Sequence, residues 1–409
     1  MSIFTSSGLR IFIPFALGYF LSYLFRVVNA VIAPDLVADL QIDPSQLGLL
    51  TSTYFIAFAS SQLPLGIFLD RFGPRIVESF FLIFAGVGAF IFAKSQTLTG
   101  VIIGRAFIGF GVSACLMAAF KSYVIWFPAK VWPRINGFQM AAGGLGALSA
   151  TTPVEWVLQM TDWRGLFLLL AAFSFIVAFG VFFIVPEKKS QGVQEKFSDQ
   201  IDGIKQVFKS NDFWRIAPLS TMSQAGFLSL QGLWAGPWLR DIAGMQRPQI
   251  ASVLSWTAIA MITGFVCLGF IAEKLAQRGV SILFTAVAGM SIFMGIQFFF
   301  VFKTPLPIPF LWILFGFFGT SGILSYSALT YSFPKALSGR VTTGINLLVF
   351  IAAFILQWAI GGIINLWEIS AEGHYHPSGY QAGFLTVIGL QAAGLAWYLF
   401  SGFKNKKVV

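Results

Sequence analysis

An arginine deep in an apolar stretch is the residue of this chain best suited to chemistry. Arg26 follows Tyr19, Ser22 and Tyr23 and precedes Asn29. At helical spacing these side chains share one face, a polar and aromatic stripe on an otherwise greasy segment. A cation so far into an apolar run is costly in hydrocarbon and belongs to a wet cavity or a partner. Its planar guanidinium can grip a carboxylate or phosphate in a forked pair. The plainer reading is a structural arginine bonded to helix carbonyls or to an acid such as Asp35. The stripe around it favours the anion site.

Other side chains could join it. Ser220, Gln224, Phe227, Gln231, Trp234 and Trp238 recur at intervals of four and three. Such a face offers amides for hydrogen bonding and indoles for stacking on a small organic ligand. Its bland counterpart is interhelical bonding, with Trp238 at the membrane interface. Arg105 and Lys121 lie sixteen residues apart. That is roughly 160° of rotation, so on a straight helix only one faces a central cavity. Arg105 reads equally as substrate contact or as a tie to a neighbouring helix, and Lys121 as contact or as a side chain snorkelling to the surface. Tyr326 and Asn346, with Ser325, Thr330 and Gln357, are placed to complete a polar site. Asp70, Glu78 and Glu273 fall at span ends, which leaves Glu155 as the one acid inside a span. It is the candidate proton site, set against the plainer reading of an interfacial acid. His374 and His376 near Glu372 have metal-like spacing but sit in a polar loop, so no metal site is expected. No nucleophile context and no phosphate-binding glycine loop occur. An enzyme is not expected, nor is a cofactor, and energy must come from ion or solute gradients.

These residues need membrane helices to position them. The 409 residues are 57% hydrophobic and 10% charged, with a mean hydropathy of +0.80. That balance implies transmembrane helices. Twelve apolar runs are read at 10–34, 45–69, 76–93, 97–126, 134–158, 163–185, 213–239, 249–271, 280–302, 309–331, 339–366 and 379–402. The first reads as an uncleaved helix, without a signal-peptide cleavage site. The polar stretch 186–212 separates an N-terminal six-helix bundle (1–185) from a C-terminal one (213–409). With the N-terminus in the cytoplasm, eighteen lysines and arginines fall on the inner side, five on the outer and three inside spans. This bias places both termini in the cytoplasm. It also explains the net charge of +10 without nucleic acid, because the basic residues are spread over many loops. Cys115 and Cys267 both lie in apolar runs and read as buried small hydrophobes.

The halves echo each other. Gly66-Ile-Phe-Leu-Asp70-Arg71-Phe-Gly73-Pro-Arg75 joins the second and third spans, and a degenerate copy with Gly269, Glu273, Lys274, Arg278 and Gly279 follows the eighth. Phe127-Pro128 precedes Arg134 as Phe333-Pro334 precedes Arg340. A duplicated unit of this kind puts the substrate site at the midplane between halves.

The stretch Gly66–Arg75 resembles the signature loop of the major facilitator superfamily, Gly-x-x-x-Asp-Arg-x-Gly-x-Arg. Arg105 with Gly109 and Gly111, and Trp163-Arg164 with Phe167, match further elements of that family. The resemblance covers essentially the whole chain. It implies an all-α integral membrane protein of twelve transmembrane helices in two pseudo-symmetric six-helix bundles. It also implies gating roles for Gly66, Asp70, Arg71, Gly73 and Arg75, and for their echoes Glu273 and Arg278. The fifth span lacks the Gly-Pro pair typical of drug–proton antiporters. Gly18-Tyr19 through Arg26 resembles the first helix of organophosphate–phosphate exchangers, whose equivalent arginine binds phosphate. The second arginine those proteins carry in the seventh helix has no counterpart here.

The expected protein is a monomeric secondary transporter in a bilayer, in a bacterial cytoplasmic membrane. It would move a small organic anion or zwitterion by rocker-switch alternating access, with a proton as the coupling ion to test. Proton-coupled efflux of drugs or amphiphiles is the alternative, and a membrane sensor on a transporter fold is the alternative of another class.

Overall fold

A computed structural model describes residues 5–128, 131–187, 197–302, 306–334, 337–370 and 373–404. The described residues are helical apart from short connections. The chain forms two compact units, Met1–Ile42 with Thr53–Asp199, and Asp43–Ser52 with Gln200–Val409. The stretch read as a linker therefore holds a helix, Phe197–Phe208, most of which falls in the second unit. Lys188, Lys189 and Lys196 lie outside the described residues.

In the first unit the helices are α1 (Ser6–Val27), α2 (Asn29–Leu40), α3 (Pro44–Lys94, from Thr53 onward), α4 (Leu98–Val112), α5 (Cys115–Trp126), α6 (Trp132–Ser149), α7 (Thr152–Leu158) and α8 (Trp163–Ile184). The two arms of α3 meet at Gly73, whose φ of 79° and ψ of 160° no side chain tolerates well. Pro74 then opens the second arm. The expected turn is thus made by Gly73 alone, while Gly66 lies in the helix before it. The expected helix through Arg105 and Lys121 forms one span, Leu98–Trp126, with a turn at Ser113 and Ala114, which keep helical dihedrals. The Ser113 hydroxyl donates to Phe110 O at 2.6 Å and accepts from Ser61 at 2.6 Å. A short polar side chain that bonds the backbone in this way competes with the helical ladder. Asp162 caps α8 by accepting from Gly165 N at 2.8 Å. Both Trp163 Nε1 (3.1 Å) and Arg164 (2.9 Å) reach Asp39 at the end of α2. Phe167 stacks on Phe92 at 4.1 Å between centroids, which accounts for the Trp-Arg-x-x-Phe pattern.

The second unit contains α9 (Phe197–Phe208), α10 (Asn211–Ser229), a π-turn (Leu230–Trp234), α11 (Ala235–Asp241), α12 (Arg247–Gln277), α13 (Ile282–Val301), α14 (Ile308–Gly319), α15 (Ile323–Tyr331), α16 (Ser338–Ile364) and α17 (Pro377–Lys404). Val207, Phe213, Ile216, Leu329, Val341 and Ile345 pack into one of its cores. α13 and α17 are clasped by a reciprocal amide pair, in which each of Gln297 and Gln391 donates to the other's oxygen at 3.0 and 3.1 Å. Between α12 and α13 the chain turns at Gly279, φ 86°, as α3 turns at Gly73 in the first unit. Glu273, Lys274 and Arg278 are exposed beside that turn.

Among the described residues, nine helices are long and apolar enough to cross a membrane. The expected runs 45–69, 134–158 and 213–239 are helical but are not among the nine. The run 134–158 is divided between α6 and α7, and 213–239 is broken by the π-turn.

Candidate functional site

Arg26 sits near the end of α1 and is only 7% exposed. Its guanidinium carbon lies 4.4 Å from the ring centre of Tyr23, 5.6 Å from that of Phe58 and 6.0 Å from that of Tyr54. Three aromatic faces thus hold a cation that hydrocarbon alone would reject. Each face is fixed in turn. The Tyr54 hydroxyl donates to Ser22 O at 3.1 Å. Tyr19 meets Tyr23 edge-on at 5.2 Å and donates to Met140 Sδ at 3.6 Å. α6 can close on this pair because residue 143 is glycine; a Cβ there would lie 2.5 Å from the Tyr19 ring. Asn29 is buried at the start of α2, and Lys121 is half-buried on α5.

Arg105 also lies near Tyr54. It is 1% exposed, lies 4.8 Å from the Tyr54 ring centre and donates to Phe25 O at 2.7 Å. Of its two expected roles, this geometry is that of the tie between helices, from α4 to α1. Residues 23–26 of α1 are therefore held from α3, α4 and α6 together. Tyr54 and Phe58 were not singled out in the sequence. They lie four apart on one face of a neighbouring span, a spacing shared by many core pairs.

In the second unit the Gln224–Trp238 stripe is dispersed. A π-turn admits an extra residue per turn and shifts the face presented after it. Ser220 hydrogen-bonds Ser325, and Gln224 Nε2 donates to Gly319 O at 3.1 Å. Gln231 reaches Met261 Sδ at 3.6 Å, and Trp234 Nε1 donates to Gln357 O at 3.0 Å. Trp238, expected at the interface, is buried between Phe300 and Trp312, with centroids 5.3 and 5.9 Å away. Tyr326 and Asn346 are half-buried.

A polar cluster unforeseen in the sequence closes the end of α11. The buried Asp241 carboxylate accepts from Arg240 Nε (2.6 Å), Tyr380 Oη (2.6 Å) and Tyr375 N (3.2 Å), and lies 2.8 Å from His374 Nδ1. Burial, reinforced by the Asp241 charge, pushes the Tyr375 hydroxyl above its usual range despite Arg240. His374 is thus engaged by Asp241, and among the described residues no cluster of metal-binding side chains occurs. Glu372 lies outside the described residues.

Of the signature loop, the Asp70 side chain also lies outside the described residues. Arg71 is exposed over Phe72, at 5.3 Å. Arg75 lies over Phe182 of α8 at 4.9 Å and 3.9 Å from Glu187. Glu155 is buried on α7 beside Pro153. Glu78, expected at a span end, is instead completely buried against the middle of α1. The second arm of α3 turns this residue inward, so three residues of sequence distance from Arg75 misstate its depth.

A family model described as Major Facilitator Superfamily matches residues 15–357. The chain belongs to that superfamily. Its long apolar helices are those of an integral membrane protein. The hexuronate transporter of Escherichia coli K12 is 25% identical over 278 residues, 64% of each chain. The chain thus matches slightly less than two thirds of that relative's length. The cis,cis-muconate transport protein of Acinetobacter baylyi is 26% identical over 88% of this chain and 85% of its own. The structure of a bacterial homolog of the lysosomal transporter Spinster, inward-facing and unoccupied, superposes with a TM-score of 0.78 at 14% identity. It covers 97% of both chains and shares the fold.

Proposed function

We propose that this superfamily member carries a small organic anion, with Arg26 as its anion-binding group, by alternating access of the rocker-switch type in a bacterial cytoplasmic membrane. The carrying observation is the Arg26 guanidinium, buried in a span and framed by Tyr23, Tyr54 and Phe58. Aromatic faces stabilise the cation without cancelling its charge. In this reading a carboxylate of the substrate meets the guanidinium in a forked pair. Tyr19, Asn29 and Lys121 in the first unit are the further polar contacts of this reading. Arg105 supports it through Tyr54 and Phe25. Two relatives named for the organic acids hexuronate and muconate point to the same ligand class. The fifth span also lacks the drug-antiporter element.

The test is binding and uptake of D-glucuronate, cis,cis-muconate and sulfoacetate by the purified protein. A charge-assisted pair contributes about 1.5–3 kcal/mol, so Arg26→Ala should weaken binding of the accepted anion by roughly tenfold or more. Arg26→Lys keeps the charge, loses the planar fork and should fall between. Wild-type affinity in folded Arg26→Ala would make Arg26 structural and refute the anion site.

A further inference from the structure

Glu78 is a fully buried acid four residues past Pro74, which opens the second arm of α3. Among the described residues, neither of its carboxylate oxygens has a hydrogen-bond partner. Among the described residues no cation pairs with it. It is pressed onto Gly18 of α1, where a Cβ would fall 2.1 Å from its Oε1, and the Cys115 sulfur is 3.6 Å from that same point. The titratable groups facing it from α5 are Cys115 and Tyr123. The Tyr123 hydroxyl is committed to Gln139 Oε1 at 2.6 Å. Lys121, the one cation of α5, has interactions of its own. On α1, Tyr19 is turned to Met140 and Tyr23. On α3, Arg75 is turned to Phe182 and Glu187.

A carboxylate charge left in apolar surroundings without a donor is strongly disfavoured, and the group takes up a proton instead. Ionisable residues kept inside a membrane at such cost commonly mark proton paths. Burial under Gly18 also gives the proton a switch. Any shift of α1 away from α3 admits water to the carboxyl and favours its release. Arg26 lies eight residues along the same helix, roughly 12 Å from Gly18 at 1.5 Å per residue. We propose that Glu78 is the coupling-proton site of this transporter. It binds one proton as a neutral carboxylic acid when α1 packs over it, and loses that proton as the carboxylate when α1 moves. Anion and proton thereby bias one helix from two points along it, and a monovalent anion moving with one proton transfers no net charge. Only what travels with the proton rests on the anion reading above; the proton site does not.

Two readouts on the full-length protein separate the two claims. The first needs no substrate. An infrared difference spectrum taken across a pH step should show a protonated-carboxyl band in the wild type that disappears in Glu78→Gln. The second uses proteoliposomes with D-glucuronate or cis,cis-muconate as probe. Glu78→Gln should keep counterflow but lose at least tenfold of the accumulation driven by an inward proton gradient. A band retained in Glu78→Gln, or undiminished proton-driven accumulation, overturns the proposal. If the wild type moves neither probe while the band still depends on Glu78, the anion reading fails and the proton site stands. Should Glu78→Gln not fold, Glu78→Asp keeps a carboxyl one methylene shorter and must shift the pH at which the band titrates; an unshifted band overturns the site.

Discussion

Arg26 and Arg105 show how two arginines in one unit divide the labour. Both lie near Tyr54, 6.0 and 4.8 Å from its ring centre. Arg105 donates from one guanidinium nitrogen to a backbone carbonyl, and Arg26 lies against three ring faces. Their substitutions should therefore separate. Arg105→Met removes a charged hydrogen bond to Phe25 O and leaves that carbonyl short of a donor, a loss of about 1.5–3 kcal/mol. It should lower the thermal unfolding temperature in detergent more than Arg26→Met does. Arg26→Met should abolish ligand-induced stabilisation, which Arg105→Met should retain in part. Equal melting curves with unequal transport would contradict this division. Arg26 was legible because a lone cation in an apolar run with tyrosines at helical spacing has few physical explanations. Its cage was not, since Tyr54 and Phe58 come from another helix and nothing local marks them. Glu78 was masked by its neighbours in the chain, for an acid three residues after a basic loop reads as more loop.

At the level of elements, apolar periodicity marked where helices lie and missed where they turn or break. The turns and breaks depend on one side chain or one dihedral. Ser113 bonds back to Phe110 O, Gly73 adopts a φ of 79°, and the π-turn Leu230–Trp234 adds a residue to one turn. The π-turn defeats any stripe drawn across it, which is why Gln224 and Trp234 bond to different helices. The Gly73 turn carries a direct expectation. A Cβ would meet nothing within 4 Å there, so any loss on substitution is conformational. Gly73→Ala should destabilise the protein by about 1–3 kcal/mol through backbone strain, read as a lowered melting temperature. Unchanged stability would mean that the turn relaxes to an ordinary dihedral. The Asp241 cluster offers a second. Asp241→Asn removes the charge that holds Arg240, and it should free the loop around His374 and Tyr375 to exchange amide hydrogen faster, with α11 otherwise intact. The cluster was hidden in the sequence because its two halves, Arg240 with Asp241 and His374 with Tyr375 and Tyr380, are more than 130 residues apart.

For the molecule as a whole, the signature loop and its echo were sufficient to name the superfamily, because a charged loop with obligatory glycine survives at fixed spacing. Composition established the membrane environment for a simple reason, that 57% hydrophobic residues cannot all be interior. Orientation rests on the distribution of lysine and arginine, eighteen against five by the twelve-span reading. A fluorescent protein fused to the C-terminus should therefore light up in cells, and a periplasm-dependent phosphatase in its place should stay inactive. The reverse pattern would invert the topology.

The Gln297–Gln391 clasp has a bearing on how such a molecule can move. Each amide satisfies the other, and neither gains or loses charge at any physiological pH. Their contact between α13 and α17 is consequently indifferent to acid and to ionic strength, the variables to which the proposed proton site responds. A transporter needs parts that respond to its driving force and parts that ignore it, and this pair of uncharged side chains belongs to the second kind.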